Sequence, residues 1–242
     1  MALATVGDET VSSQVPPTRP DLHVVAEPLP VWKRAFDILS AGILLVIATP
    51  VLLALAIVTA LVMGRPLLYR QARGGLGGSV FNILKFRTMS NERDEHGVLL
   101  PDEKRRHTWG NFLRRTSLDE LPTLLNIIRG DMSFVGPRPL MAQYLDRYSE
   151  HQAKRHQVTP GLTGLAQTKG RNKLTWAERF ELDLEYVQTR SLTTDLRILV
   201  DTVKIVVTGE GADGNDHCTE FLGTTPNKIG GSVTSIAAAD GG

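Results

Sequence analysis

Between Ile38 and Gly64 the chain runs for 27 residues without a charged side chain, and the run is dense in Leu, Ile, Val and Ala. A stretch of this length is read as a membrane segment before anything else is considered. Pro50 stands almost at its centre, directly after Thr49. Proline removes one helical hydrogen bond and clashes with the preceding turn. In lipid the freed carbonyl needs a partner, and the Thr49 hydroxyl is nearby. Two topologies compete: a kinked spanning helix, and a re-entrant pair of helices that turns at Thr49–Pro50 and leaves by the face it entered. Lys33 and Arg34, read as interface cations at the headgroups, flank one end of the run; Arg65, Arg70 and Arg73 flank the other. A spanning helix concentrates its cations on one side, so cations at both ends fit the re-entrant form better. Each arm would give about 15–22 Å of helix, enough to reach the bilayer midplane and return.

The remainder of the 242 residues is long enough to bury a core without covalent staples. The lone Cys218 excludes an intrachain disulfide framework and suggests a reducing compartment or indifference to redox. A formal charge of +1 is too small to point to nucleic acid. Charge is unevenly placed, however: from Arg65 to Arg115 there are eleven Lys/Arg against five Asp/Glu. A basic region just after an apolar segment suits a membrane surface or an anionic substrate.

The pattern predicts an α+β chain, mostly helical. Residues 1–28 read as a disordered arm, rich in Thr, Ser, Pro and acids and without apolar periodicity. Residues 29–65 form the membrane hairpin, residues 66–208 a small catalytic domain, and residues 209–242 a mobile tail. In the domain, Leu67–Gln71 and Val80–Lys85 read as strands of a short β-hairpin around a Gly-rich turn. Lys104–Arg115 reads as a helix mixing Trp109 and Phe112 with arginines, suited to the headgroup zone or, as readily, to a plain surface helix that packs Trp109 inward. Ser117–Ile128 is expected as a helix, with Ser117 and Glu120 spaced as a capping box; Pro122 is awkward there and sits more comfortably in a first turn if Asp119 is the cap. Pro160–Gly164 reads as a turn, Thr175–Gln188 as a helix capped by Thr175 and Glu178, and Asp195–Val207 as an amphipathic helix.

Chemistry concentrates between Arg114 and Pro139. Asp119 and Glu120 are adjacent carboxylates; Arg114 and Arg115 precede them, and Arg138 follows between two prolines. Carboxylates among cations suit a phosphorylated substrate: the acids hold a divalent metal or attack phosphorus, and the arginines hold phosphate oxygens. A helix N-terminus would favour ionised carboxylates at Asp119 and Glu120; plain helix capping would explain the pair as well. Lys85 and Arg87, spaced by two, would share one strand face. Pro137 and Pro139 fix the backbone that presents Arg138. Gln167–Leu174 is a polar loop with three cations, Arg171 among them, again suited to an anion.

Six stretches together resemble the small monotopic phosphoglycosyl transferases, the bacterial polyprenyl-phosphate sugar-1-phosphate transferases. They are Lys33-Arg-Ala-Phe-Asp37, Lys85-Phe-Arg-Thr-Met89, Ser117-Leu-Asp-Glu-Leu121, Gly130-Asp-Met-Ser-Phe-Val-Gly-Pro-Arg-Pro139, Pro160-Gly-Leu-Thr-Gly-Leu-Ala-Gln167 and Gly170-Arg-Asn172. The resemblance runs from about Trp32 to about Thr208. It implies transfer of a sugar 1-phosphate from a UDP-sugar to a polyprenyl phosphate, with release of UMP, as the first membrane step towards an O-antigen, capsule, exopolysaccharide or glycoconjugate. It implies that Asp119 is the nucleophile that forms a phosphosugar intermediate, that Glu120 helps hold Mg²⁺, and that Arg115 and Arg138 contact phosphate. It places the membrane anchor's break at Thr49–Pro50, with Thr49 where a serine is common. The implied location is the cytoplasmic face of the bacterial inner membrane. Partners in this reading are the UDP-sugar, the polyprenyl phosphate, one leaflet and downstream glycosyltransferases, with a homodimer left open. The rival is a non-catalytic scaffold that binds polyprenyl phosphate and organises other glycosyltransferases; it would keep the hairpin and the basic surface and have no use for Asp119.

Overall fold

The computed structural model describes residues 24–170, 174–208 and 220–223. The chain begins with a long helix, α1 (Val31–Met63), followed by two antiparallel strands, β1 (Leu68–Gly74) and β2 (Val80–Phe86). Then come α2 (Asp102–Arg105), α3 (Thr108–Arg115), a 3-10 segment at Leu118–Thr123, and α4 (Leu124–Arg129). Strand β3 (Ser133–Val135), α5 (Glu150–Ala153) and strand β4 (Gly161–Thr163) lead to α6 (Leu165–Lys169), α7 (Trp176–Thr189) and α8 (Leu192–Thr208). The mostly helical α+β expectation holds.

The anchor expected as two helices parted at Thr49–Pro50 is one run of helical backbone, 33 residues long, with Pro50 inside it. The Thr49 hydroxyl donates to the Leu45 carbonyl at 2.8 Å. It therefore does not serve the Val46 carbonyl, the one Pro50 cannot reach with an N–H. Burial on α1 is confined to its ends: Lys33, Asp37 and Ala41 at one, Leu55 and Thr59 at the other. Between them Ile43, Val46, Ile47 and Leu53 are 59–74% exposed, an apolar surface that calls for lipid rather than water.

Both ends of α1 dock on the same domain. Lys33, expected as a headgroup cation, is buried and pairs with Asp195 at the start of α8. Arg34, expected likewise, donates to the carbonyls of Ile127 and Ile128 at 2.6 and 2.7 Å. Those are orphan carbonyls of the last turn of α4, natural acceptors for an arginine. At the far end Trp109 Nε1 donates to Thr59 Oγ1 at 3.1 Å, and Leu55 packs with Phe86 and Leu113. The aromatic-basic helix thus spends Trp109 on α1.

The β-hairpin forms as the alternation predicts, in the register Leu68↔Phe86 to Gly74↔Val80. Its turn uses Gly77 and Gly78 at φ 64° and 78°, where any larger residue would be strained. The other edge of β2 meets side chains instead of a strand. Asn126 accepts from Leu84 N at 3.0 Å and donates to Asn82 O at 2.8 Å; Thr123 donates to Leu84 O at 2.8 Å. Both are fully buried. These bonds stitch β2 to the segment that follows the acidic pair.

Sequence pattern missed the parallel pair β3–β4, registered Ser133↔Gly161 and Val135↔Thr163. Each strand is three residues long, too short for alternation to be visible. Here Pro160–Gly164 is partly a strand, not only a turn. A Cβ on Gly161 would lie 2.1 Å from the Gly136 nitrogen, so the pairing requires glycine.

A few residues of the arm and of the tail are described, and these are packed. Within the arm, Glu27 donates its N–H to Gln157 O at 2.8 Å and pairs with Arg190. Within the tail, Phe221 is 4% exposed among Tyr144, Tyr148, Trp176 and Phe180. Arg147 bonds Glu220 and the Phe221 carbonyl. The rest of both stretches lies outside the described residues. Phe221→Ala is expected to cost about 3 kcal/mol, read as a lower apparent melting temperature with the kinetics of the surviving enzyme unchanged.

Candidate active site

The stitching of β2 brings Lys85 over the acidic pair. Lys85 Nζ lies 2.6 Å from Glu120 Oε1. Arg138, held out by Pro137 and Pro139, reaches the same oxygen at 2.8 Å. The backbone under Arg138 is itself fixed. Arg155 donates to the Arg138 carbonyl at 2.7 Å while its guanidinium is buried against Asp183 at 2.6 Å. Glu120 therefore carries two cations, whereas these ion pairs leave Asp119 aside.

The adjacent carboxylates consequently sit in opposite electrostatic states. Asp119 is 8% exposed. Burial, then the charge of Glu120, pushes it up to about 6, against the pull of Lys85, Arg138 and Arg114. Burial would raise Glu120 too, but Arg138 and Lys85 outweigh it and hold it well below the usual carboxylate range. Lys85 is pressed down by burial and held up by Glu120. At neutral pH both acids are charged; one is neutralised by its partners and the other is an oxyanion under strain.

The capping box expected at Ser117 and Glu120 does not form. Ser117 is left-handed at φ 55°, and its side chain caps nothing. Glu120 N instead meets the Ser117 carbonyl at 3.2 Å, and a 3-10 segment containing Pro122 takes the place of the first helical turns. An N-cap needs an extended backbone to aim its hydroxyl forward, which Ser117 lacks. The true α-helix starts only at Leu124, so the cations, rather than a helix terminus, favour the ionised acids.

Four expected site residues, Asp119, Glu120, Lys85 and Arg138, meet. Of the two arginines before the acids, Arg114 joins Lys85 and Arg138 among the charges that act on Asp119, and its Nε is steadied by Thr88 Oγ1 at 3.0 Å. Arg87 is displaced from the site. It is 5% exposed and donates to the carbonyls of Met63, Gly64 and Arg65, closing the end of α1. Arg171 lies outside the described residues. Thr49 and Pro50 remain on the exposed middle of α1, apart from the acids. Sequence reasoning missed Thr123, Asn126, Arg155 and Asp183, whose work is positional. The available signal was polar residues inside otherwise apolar stretches, such as Thr123 and Asn126 within Leu121–Ile128. The cleft beside Glu120 is lined by Arg73, Ile83, Lys85, Met132 and Arg138.

A carboxylate with its pKa raised by burial, a cation-bound carboxylate beside it and a basic cleft suit work on phosphorylated groups. The chain belongs to the bacterial sugar transferase family, whose model matches residues 29–209. It is 47% identical to the uncharacterized sugar transferase EpsL of Bacillus subtilis over 78% of this chain and 94% of the relative. It is 43% identical to the UDP-glucose:undecaprenyl-phosphate glucose-1-phosphate transferase of Caulobacter vibrioides, over 74% of this chain and 71% of that one. It is 36% identical to the undecaprenyl-phosphate galactose phosphotransferase of Salmonella typhimurium, over 74% and 41% respectively. The protein is a sugar-phosphate transferase.

Proposed function

We propose that this enzyme transfers a sugar 1-phosphate from a UDP-sugar to undecaprenyl phosphate in two displacements at one phosphorus. In the first, an Asp119 carboxylate oxygen attacks the β-phosphorus. The bond from that phosphorus to the oxygen bridging to the α-phosphate breaks, and UMP leaves with the electron pair. In the second, a phosphate oxygen of the lipid attacks the same phosphorus and displaces the Asp119 carboxylate, giving the lipid diphosphate sugar. The observation that carries this reading is the division of the acidic pair: Asp119 is charged, buried and outside the ion pairs that occupy Glu120. Splitting the reaction also means that two anionic substrates need not share the cleft.

Mg²⁺ fits the donor set. Lys85 and Arg138 both use Oε1 of Glu120, which leaves Oε2 to a metal. Among the described residues there is no cluster of three or more His, Cys, Asp or Glu, and Mg²⁺ commonly takes one or two carboxylates and completes its shell with water and substrate phosphates. When bound it supplies charge neutralisation at the phosphates. Arg138, Lys85 and Arg114 orient the diphosphate and hold the charge that develops on its oxygens.

In this reading α1 is re-entrant, the domain faces the cytoplasm on the bacterial inner membrane, and the product passes to downstream glycosyltransferases of surface polysaccharide assembly. Both ends of α1 docking on one domain, with an exposed apolar middle, supports the topology. Single cysteines placed at Glu27 and Asn91 are expected to label from the same membrane face; labelling from opposite faces would make α1 a spanning helix.

The activity is tested by supplying the purified protein with a panel of UDP-sugars, Mg²⁺ and undecaprenyl phosphate. Release of UMP with one sugar, matched by a lipid diphosphate sugar, is the expected result. UMP with no lipid product, or no UMP with any sugar, would overturn it.

A further inference from the structure

The cleft beside Glu120 contains a third cation. Arg73 lines it together with Lys85 and Arg138, and Glu120 is the one carboxylate in that lining. Lys85 and Arg138 already share Glu120. Among the described residues Arg73 bonds only neutral acceptors: Nη1 donates to the Pro139 carbonyl at 3.1 Å, and Nη2 to Gln71 Oε1. Its Nε is buried and makes no hydrogen bond. Burial and the neighbouring Arg138 press its pKa to about 10, so it stays charged at neutral pH.

The placement is rigid. Gly74 N donates to Leu140 O at 3.0 Å, and Arg73 bridges Met141. The end of β1 is thereby fastened to the segment just after Pro137-Arg138-Pro139. Fastened backbones hold two guanidinium groups and Lys85 on one small cleft, three cations against the single carboxylate of Glu120 among the described lining residues, an excess that favours a further anion.

Resting on the transfer reading above, we propose that Arg73 binds the phosphate that departs with UMP. Lys85, Arg138 and Arg114 are the cations whose charge acts on Asp119, where the attacked phosphorus must sit. Arg73 is not among them and lines the cleft with Arg138 and Glu120. In this assignment it meets the adjoining phosphate, whose charge grows as the bridging bond breaks, and a fixed cation there acts where it is most useful.

A purely structural alternative exists, in which Arg73 only pins the Pro139 carbonyl. The two are separated by the inhibition constants of UMP and of uridine on wild-type enzyme, Arg73→Gln and Arg73→Lys, each as the full chain in detergent or nanodiscs. The expected result is a roughly 10- to 100-fold weaker UMP inhibition in Arg73→Gln, with uridine unchanged and part of the UMP affinity recovered in Arg73→Lys. Unchanged UMP inhibition in Arg73→Gln would overturn the assignment. Equal weakening of UMP and uridine in both variants would overturn it as well, in favour of the structural role. A wild-type protein that releases no UMP from any UDP-sugar would instead defeat the transfer reading itself.

Discussion

Asp119→Asn is expected to lose UMP release by roughly 10⁴-fold or more while making the protein harder to melt. The loss follows from removing the attacking oxygen; a neutral amide oxygen cannot form the phosphoryl bond. The gain in stability follows from the state of the carboxylate. Its folded-state pKa of about 6 stands above the ordinary 3.8, chiefly through burial. A carboxylate with a raised pKa favours folding in its protonated form. That contribution is complete below about pH 4 and is lost as pH rises through about 6. At pH 7.5 the ionised group is a burden, and asparagine removes it. Relief on the order of 1–2 kcal/mol corresponds to a few degrees in apparent melting temperature. Activity runs the other way with pH. Protonated Asp119 is not a nucleophile, so single-turnover UMP release should show an acid limb near pH 6, where the folded protein is more stable. Melting curves and UMP release on one preparation check both halves. A variant that keeps activity, or that is inactive because it is unfolded, would count against this account.

Glu120→Gln should also disable transfer, by roughly 10²–10³-fold, but with the opposite effect on stability. Arg138 and Lys85 hold Glu120 below the ordinary carboxylate range, so its ionised form supports folding. That support is present above the ordinary glutamate pKa and is lost as pH falls through the lowered value. Glutamine would leave Lys85 and Arg138 facing each other with no carboxylate between them. Breaking such a partly buried cluster is expected to cost about 1–3 kcal/mol, discounted because Arg138 is 42% exposed along its side chain. Transfer in the variant should also need more Mg²⁺ to reach half its maximum rate. Two neighbouring acids, each neutralised by an isosteric amide, are thus expected to move the melting temperature in opposite directions. Equal shifts would mean that the pair is not divided as described.

Much of this site was legible in the sequence because its chemistry is local. Asp119 and Glu120 are adjacent, Arg138 is framed by prolines, and Lys85 sits on a strand that alternation reveals. What failed depended on backbone details that spacing does not carry. Which of Arg114 and Arg115 reaches Asp119 is one such detail: successive residues of a helix point about 100° apart, and of the two it is Arg114 whose charge acts there, beside that of Arg138. Lys85 and Arg87 have the spacing of one strand face, but β2 ends at Phe86 and Arg87 turns to the carbonyls at the end of α1. Ser117 and Glu120 have capping-box spacing, but the left-handed backbone at Ser117 forbids the bond. The roles of Lys33 and Arg34 were misjudged for a related reason. Cations beside an apolar run suggest headgroups, and only tertiary contacts with Asp195 and α4 show that they dock the anchor on the domain. The length and apolarity of α1 were evident at once; the continuous helical backbone through Pro50 was not.

The most direct test of the two-displacement account is a mass measurement. Full-length enzyme is mixed with Mg²⁺ and the UDP-sugar it accepts, without undecaprenyl phosphate, then quenched and digested. The account predicts a mass increase of one phosphosugar on the peptide containing Asp119, one UMP released per adduct, and loss of the adduct when the lipid is added before quenching. Transfer that proceeds at full rate with no adduct on that peptide, or an adduct located on any other residue, would contradict it.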